Sequence, residues 1–198
     1  MILVLHDAGS YDQIDSCVLG LVGAGCVSGV SVFAAGPRSA PVAKGCRDAG
    51  VSVGVHLTAP VIGRVNLADH CSSQIEQFSK ATGAGPSYFD CHCFFLRLNP
   101  ECYDVLKTRF GVLPMIQKAD PYCGKAYRLM DKIHLHDKVA AKEHIKKLLG
   151  SNELVFAHVA VGLRPVWGIA AAALGEMSEH IGRVEMARWP ITSKNGTA

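Results

Sequence analysis

The segment from Ser87 to Phe95 reads Ser-Tyr-Phe-Asp-Cys-His-Cys-Phe-Phe, with strand-forming aromatics around an acid and an imidazole two positions apart. On a strand, Asp90 and His92 would face the same side. Pro86 ahead of them and Asn99-Pro100 behind them are turn and helix-start signals, so both groups are expected near the C-terminal end of a short buried strand. Open and closed α/β folds place their chemistry there. Other apolar runs end in the same residue types, in Val-Leu-His6-Asp7, Val-Gly-Val-His56-Leu and Val-Phe-Ala-His158. Four strand ends converging on a common rim would make a metal-sized polar pocket.

Each of these histidines taken singly also fits a structural role. Asp12 and Asp15, near a helix start, fit stabilisation by the helix dipole better than catalysis. His134-Leu-His136 has the spacing of a metal pair on a strand but lies in an irregular basic stretch, which favours surface histidines. The eight cysteines, at 17, 26, 46, 71, 91, 93, 102 and 123, form no Cys-x-x-Cys spacing and sit mostly in apolar surroundings, as reduced core residues do. Cys91 and Cys93 flank His92, but on a strand both would point to the face opposite the imidazole.

The elements that must position these groups follow from hydrophobic patterning. A chain of 198 residues with 49% hydrophobic content can build one core, and a single domain over 1–198 is expected. The net charge is only +3, and no lysine and arginine block is interleaved with aromatics, which argues against nucleic-acid binding. The opening Met-Ile-Leu-Val-Leu-His-Asp is too short and too soon acidic for a signal peptide, and no later run has the length to span a bilayer. A soluble, cytoplasmic protein without membrane contact is the expectation.

Along the chain, strands are expected at Ile2–Leu5, 29–35 and Ser52–Leu57, alternating with helices over Asp12–Ala24 and from Ser39 to near Gly50. This rhythm with short connections argues for parallel strands covered by helices. Residues 58–72 lack periodicity and read as a rim loop, followed by a helix over Ser73–Thr82. The strand carrying Asp90 and His92 then leads to a helix over Pro100–Phe110. A strand at Val112–Ile116, an irregular stretch over 117–136, a helix over Asp137–Leu149, a strand at Leu154–Ala157 and a helix over Ile169–His180 complete the chain.

The run Gly25-Cys-Val-Ser-Gly-Val-Ser-Val-Phe-Ala-Ala-Gly-Pro, with Val53-Gly-Val-His-Leu-Thr, Gln74-Ile-Glu-Gln-Phe and Tyr88-Phe-Asp-Cys-His, resembles the YdjC-like family of carbohydrate deacetylases, which includes the chitooligosaccharide deacetylases. The similarity runs from residue 2 to about 115 and thins beyond. It implies a distorted (β/α) barrel of mostly parallel strands with outer helices, and a divalent metal (Zn, Mg, Co or Ni) serving removal of acetyl from an N-acetylated amino sugar or related small amide. The family opens with Asp-Asp, the first acid as base and the second as metal ligand. Here the pair is His6-Asp7. The resemblance thus implies Asp7, His56 and His92 as metal ligands, and it places His158 where the family has His-Pro-Gly, although Val159 and Ala160 follow.

In that reading His6, with an ordinary pKa of about 6.5, would be the general base, His158 the general acid, and Asp90 the carboxylate that orients a ligating imidazole. The metal would polarise the amide carbonyl and acidify its bound water. Two rivals stand beside it. One is a binding or regulatory protein that keeps the barrel but is catalytically silent because its acidic base is gone. The other is a thiol hydrolase using Cys91 or Cys93. The stretches 58–72 and 117–136 are short for the family, which points to an open pocket or one completed by another subunit, and the family's precedent leaves a homodimer open.

Overall fold

The computed structural model describes residues 2–60, 66–92, 100–111, 126–128, 138–149, 156–160 and 172–181. Among the described residues six strands, β1 (Ile2–Ala8), β2 (Gly29–Phe33), β3 (Ser52–Leu57), β4 (Phe89–Cys91), β5 (Ala126–Arg128) and β6 (Phe156–Ala160), form one sheet in the order β4-β3-β2-β1-β6-β5. Every pairing is parallel. Each strand neighbours the next in sequence, except that β1 also meets β6 and no β4–β5 pairing is described. A doubly wound sheet reverses direction beside its first strand, whereas this order is a ring of six opened at one seam. The architecture is a (β/α) barrel with parallel strands, as expected from the sequence.

The strands are buried on both faces, so they read as unbroken apolar runs. Leu3, Val4 and Leu5 of β1, Val30 and Val32 of β2 and Val53, Val55 and Leu57 of β3 are almost wholly inaccessible. The helices α1 (Asp12–Gly23), α2 (Ser39–Asp48) and α3 (Leu67–Thr82) bury one stripe each, formed by Ile14, Val18, Leu21 and Val22, by Val42, Ala43 and Cys46, and by Cys71, Ile75 and Phe78. Further helices are α4 (Pro100–Phe110) and α5 (Lys138–Leu149), with helical turns at 172–176 and Ser178–Ile181. No helix among the described residues is long and apolar enough to cross a membrane.

Several boundaries differ from the sequence reading. Helix α3 begins at Leu67 rather than Ser73, because the Asn66 side chain accepts from the Ala68 and Asp69 backbone amides and caps the extra turn. Its first turns mix Leu67, Ala68 and Cys71 with Asp69, His70 and two serines, which hid the helical period. Strand β5 falls within the stretch expected to be irregular, and β6 extends three residues past Ala157. The expected strand at Val112–Ile116 and the His134/His136 pair lie outside the described residues.

Tyr88, immediately before β4, is completely buried and crosses the floor of β3 and β2 where both carry glycine. A Cβ at Gly54 would stand 2.2 Å from the Tyr88 ring, and one at Gly29 would stand 2.9 Å from its hydroxyl oxygen. Gly54→Ala is therefore expected to lower stability by about 2–3 kcal/mol in urea unfolding, since a walled-in ring cannot retreat. An unchanged midpoint would show that Tyr88 is not packed there.

Candidate metal centre

The C-terminal ends of β1, β3 and β4 bring four of the expected residues, and a fifth at their edge, into direct contact. Strand β4 ends at Cys91, so His92 follows it directly, and its side chain is half exposed. His56 Nε2 lies 3.0 Å from Asp7 Oδ1 and 3.2 Å from His92 Nδ1, and His92 Nδ1 lies 3.2 Å from the same Asp7 oxygen. Donor atoms about 2.1 Å from one ion and roughly 90–110° apart stand about 3.0–3.4 Å from one another. The triangle of Asp7, His56 and His92 therefore has the edge lengths of one face of a coordination sphere.

A regular strand would send His6 and Asp7 to opposite sides, yet both meet His56. The reason is local: β1 slips register against β2 between Leu5 and Ala8, and Asp7 takes a left-handed backbone with φ of 61°. Such a bulge re-aims the bulged side chain, and aspartate tolerates that conformation better than most residues. The following turn is held by Asp15, wholly buried in α1, whose carboxylate accepts from the Gly9 amide at 2.7 Å and from Arg38 Nε at 3.0 Å. Asp15 is thus a buried brace rather than a helix-end charge, while Asp12 pairs with Arg38 from the surface.

Behind the triangle lies Asp90, with no exposed surface. One of its oxygens accepts from His56 Nδ1 at 2.6 Å; the other accepts from His6 Nδ1 at 2.7 Å and from the Ser31 hydroxyl at 2.8 Å. Donation from Nδ1 makes Nε2 the basic nitrogen of each neutral ring. In His56 that nitrogen is the one at the triangle. His6 stands on the Nδ1 side of His56, 3.5 Å from it, and is almost completely buried. The geometry thus sets His6 beside the supporting carboxylate rather than within the donor triangle.

The charges follow from this packing. Burial opposes ionisation of Asp90, but the flanking imidazoles outweigh it and hold the carboxyl well below its ordinary range. Burial likewise opposes a charged His56; Asp90 on one side and Asp7 on the other override it and raise its pKa to about 10. Burial would also raise Asp7, but the His56 hydrogen bond and neighbouring imidazoles bring it below its usual value. For His6 burial prevails over Asp90, and its pKa is lowered. Once His56 gives up its Nε2 proton, two carboxylates among neutral imidazoles carry the charge that one divalent cation neutralises, so the donor set fits such an ion.

His158 stands in the middle of β6 rather than past its end. Its backbone pairs with Val4, and Ala160 is the residue level with His6. Cys91 is buried on β4, and Cys93 lies outside the described residues. The sequence reading did not single out Ser31, Tyr88 or Phe33. Phe33, at the end of β2, sets its ring 5.1 Å from that of His56 and 6.1 Å from that of His92, walling one side of the centre. Beyond Phe33 a cleft of about 540 Å³ opens between the ends of β1 and β2 and helix α3, with Tyr11, Thr58, His70 and Gln77 on its walls.

No protein-family model matches the chain, and no curated protein sequence matches it significantly. Solved structures do. A candidate cellobiose-phosphate cleavage protein from Enterococcus faecalis V583 superposes with a TM-score of 0.68 at 13% identity, over 93% of this chain and 96% of that one. A family 4 carbohydrate esterase from Streptomyces lividans, in complex with acetate, gives 0.62 at 17% identity, over 91% and 86%. A mutant of a family 4 pseudoenzyme with restored enzymatic activity gives 0.61 at 14%, over 95% and 66%. At these identities the likeness is one of fold, and the fold of this chain is the (β/α) barrel found in carbohydrate deacetylases.

Proposed function

We propose that this protein is a metal-dependent hydrolase of the YdjC-like type that removes an acetyl group from an N-acetylated amino sugar or a related small amide. The observation that carries the proposal is the triangle of Asp7, His56 and His92 donors, with 3.0–3.2 Å edges, at the strand ends of a deacetylase-type barrel. Those three residues would hold a divalent ion. When bound, the ion supplies Lewis acidity towards an amide carbonyl and acidifies its coordinated water. Asp90 keeps the His56 proton on Nδ1 and so presents Nε2 outward. His6, kept neutral by burial and oriented by Asp90 through Nδ1, is the chain's base in this reading; the acid that protonates the departing amine would be His158 by its place in the sequence resemblance alone, since its backbone lies level with Val4. Phe33 packs its ring beside the imidazole pair, and the adjoining cleft would receive the sugar.

One observation favours a second reading, a silent binding or regulatory protein that retains the barrel. Position 6 holds a buried imidazole tied to Asp90, and one structural neighbour is a pseudoenzyme whose activity a mutation restored. The two readings separate cleanly. If the parent is silent towards acetylated sugars and His6→Asp gains acetate release, the second reading holds; an active parent that loses turnover on that change supports His6 as base.

Purified protein is expected to bind one divalent ion per chain, and His92→Ala to abolish stoichiometric binding and acetate release while its circular dichroism spectrum stays native. Retained turnover in a chelator-treated sample would remove the metal from the reaction. In the metal-free protein His56 holds a proton up to about pH 10, and that proton must leave for Nε2 to bind an ion. Metal binding should therefore release at least one proton at pH 7, and the apparent affinity should rise about tenfold per pH unit towards that value. Calorimetry in buffers of different ionisation enthalpy reads the number released; none would count against His56 as a ligand.

A further inference from the structure

Ser31 on β2 and Tyr88 before β4 are both wholly buried and have no described hydrogen bond to the three triangle donors, yet their hydroxyls form a line that ends on Asp90. Ser31 Oγ lies 2.8 Å from Asp90 Oδ2, and Tyr88 Oη lies 3.2 Å from Ser31 Oγ. An ionised carboxylate only accepts, so the single Ser31 proton points to Asp90, and Ser31 oxygen must then accept from Tyr88. The line is directional, from phenol to serine to carboxylate. It supplies the Asp90 oxygen that His6 shares, while His56 holds the other.

We propose that Ser31 and Tyr88 are positioning residues of the metal centre: their relayed hydrogen bonds fix the rotation of the Asp90 carboxylate, and through it the direction in which His56 presents Nε2. The inference rests on the reading of the triangle as a metal site. Asp90 has no exposed surface, so no bulk water can replace a lost donor, and removal of one leaves a buried charge with fewer partners. The phenol itself cannot drift, because its ring is seated on Gly54 and its oxygen against Gly29. A phenylalanine would fill the same volume, so packing alone gives no reason for a hydroxyl in this dry position; a bonded hydroxyl in line with Asp90 does.

The test is metal affinity, read by competition with a chromophoric chelator for Zn²⁺ and by the visible absorption of the Co²⁺ form. Ser31→Ala is expected to weaken binding about 10–100-fold and to alter the Co²⁺ bands. Tyr88→Phe should weaken it by a smaller factor, and the double variant no more than Ser31→Ala, since Tyr88 acts through Ser31. Thermal unfolding of the metal-free variants shows whether they remain folded; if Ser31→Ala does not fold, Tyr88→Phe, which keeps the ring, decides. Native affinity in a folded Ser31→Ala or, failing that, in Tyr88→Phe overturns the inference alone, as does a double variant weakened by the full product of the single factors. A native protein that binds no metal overturns both this inference and the metal reading on which it rests.

Discussion

The structure turns on one buried carboxylate. Asp90 has no exposed surface, yet its two flanking imidazoles hold it well below the ordinary carboxyl range, and the Ser31 hydroxyl donates to it as well. An unpaired charge in that position would cost several kcal/mol, so none of its partners is optional. His56 must keep its Nδ1 proton towards Asp90, and this leaves Nε2 facing Asp7 and His92. The orientation of the donor triangle is thus set from behind, by a residue that does not belong to it.

The barrel is shaped around that requirement. Tyr88 can reach Ser31 only because β2 and β3 carry glycine where its ring crosses them, at Gly29 and Gly54. Two backbone positions without side chains, a buried phenol and a serine in an otherwise apolar strand make one unit. On the opposite side, the bulge in β1 lets His6 and Asp7, adjacent in sequence, approach the two nitrogens of the same imidazole. The left-handed backbone at Asp7 is the local strain this requires, of the order of 1 kcal/mol or more, and the buried Asp15 brace behind Gly9 holds the turn that follows.

An imidazole rather than an acid at position 6 has a physical consequence. A carboxylate at that position would face Asp90, and two buried like charges in contact repel. A neutral imidazole instead donates to Asp90 and joins its support. An imidazole there therefore adds to the scaffold behind His56, and it links the two functional readings: supporting the centre and catalysing at it place different demands on position 6.

Much was legible in the chain itself. Unbroken apolar runs such as Ile2–Leu5 and the punctuated helices between them gave a parallel α/β architecture, and acids and imidazoles at run ends offered His6, Asp7, His56, Asp90, His92 and His158 as candidates for one rim, because a strand's period and direction are local properties. The early start of α3 was hidden because its capped first turns mix small apolar and polar residues, and the short β5 because three residues carry no period. What no local pattern encodes is the pairing of distant groups: that the bulge turns Asp7 towards His56, that His6 lies behind the triangle, that His158 pairs level with Val4, and that Ser31 and Tyr88 meet Asp90. Those relations depend on strand register and on which side chains share a buried volume, and only the packing of the barrel decides them.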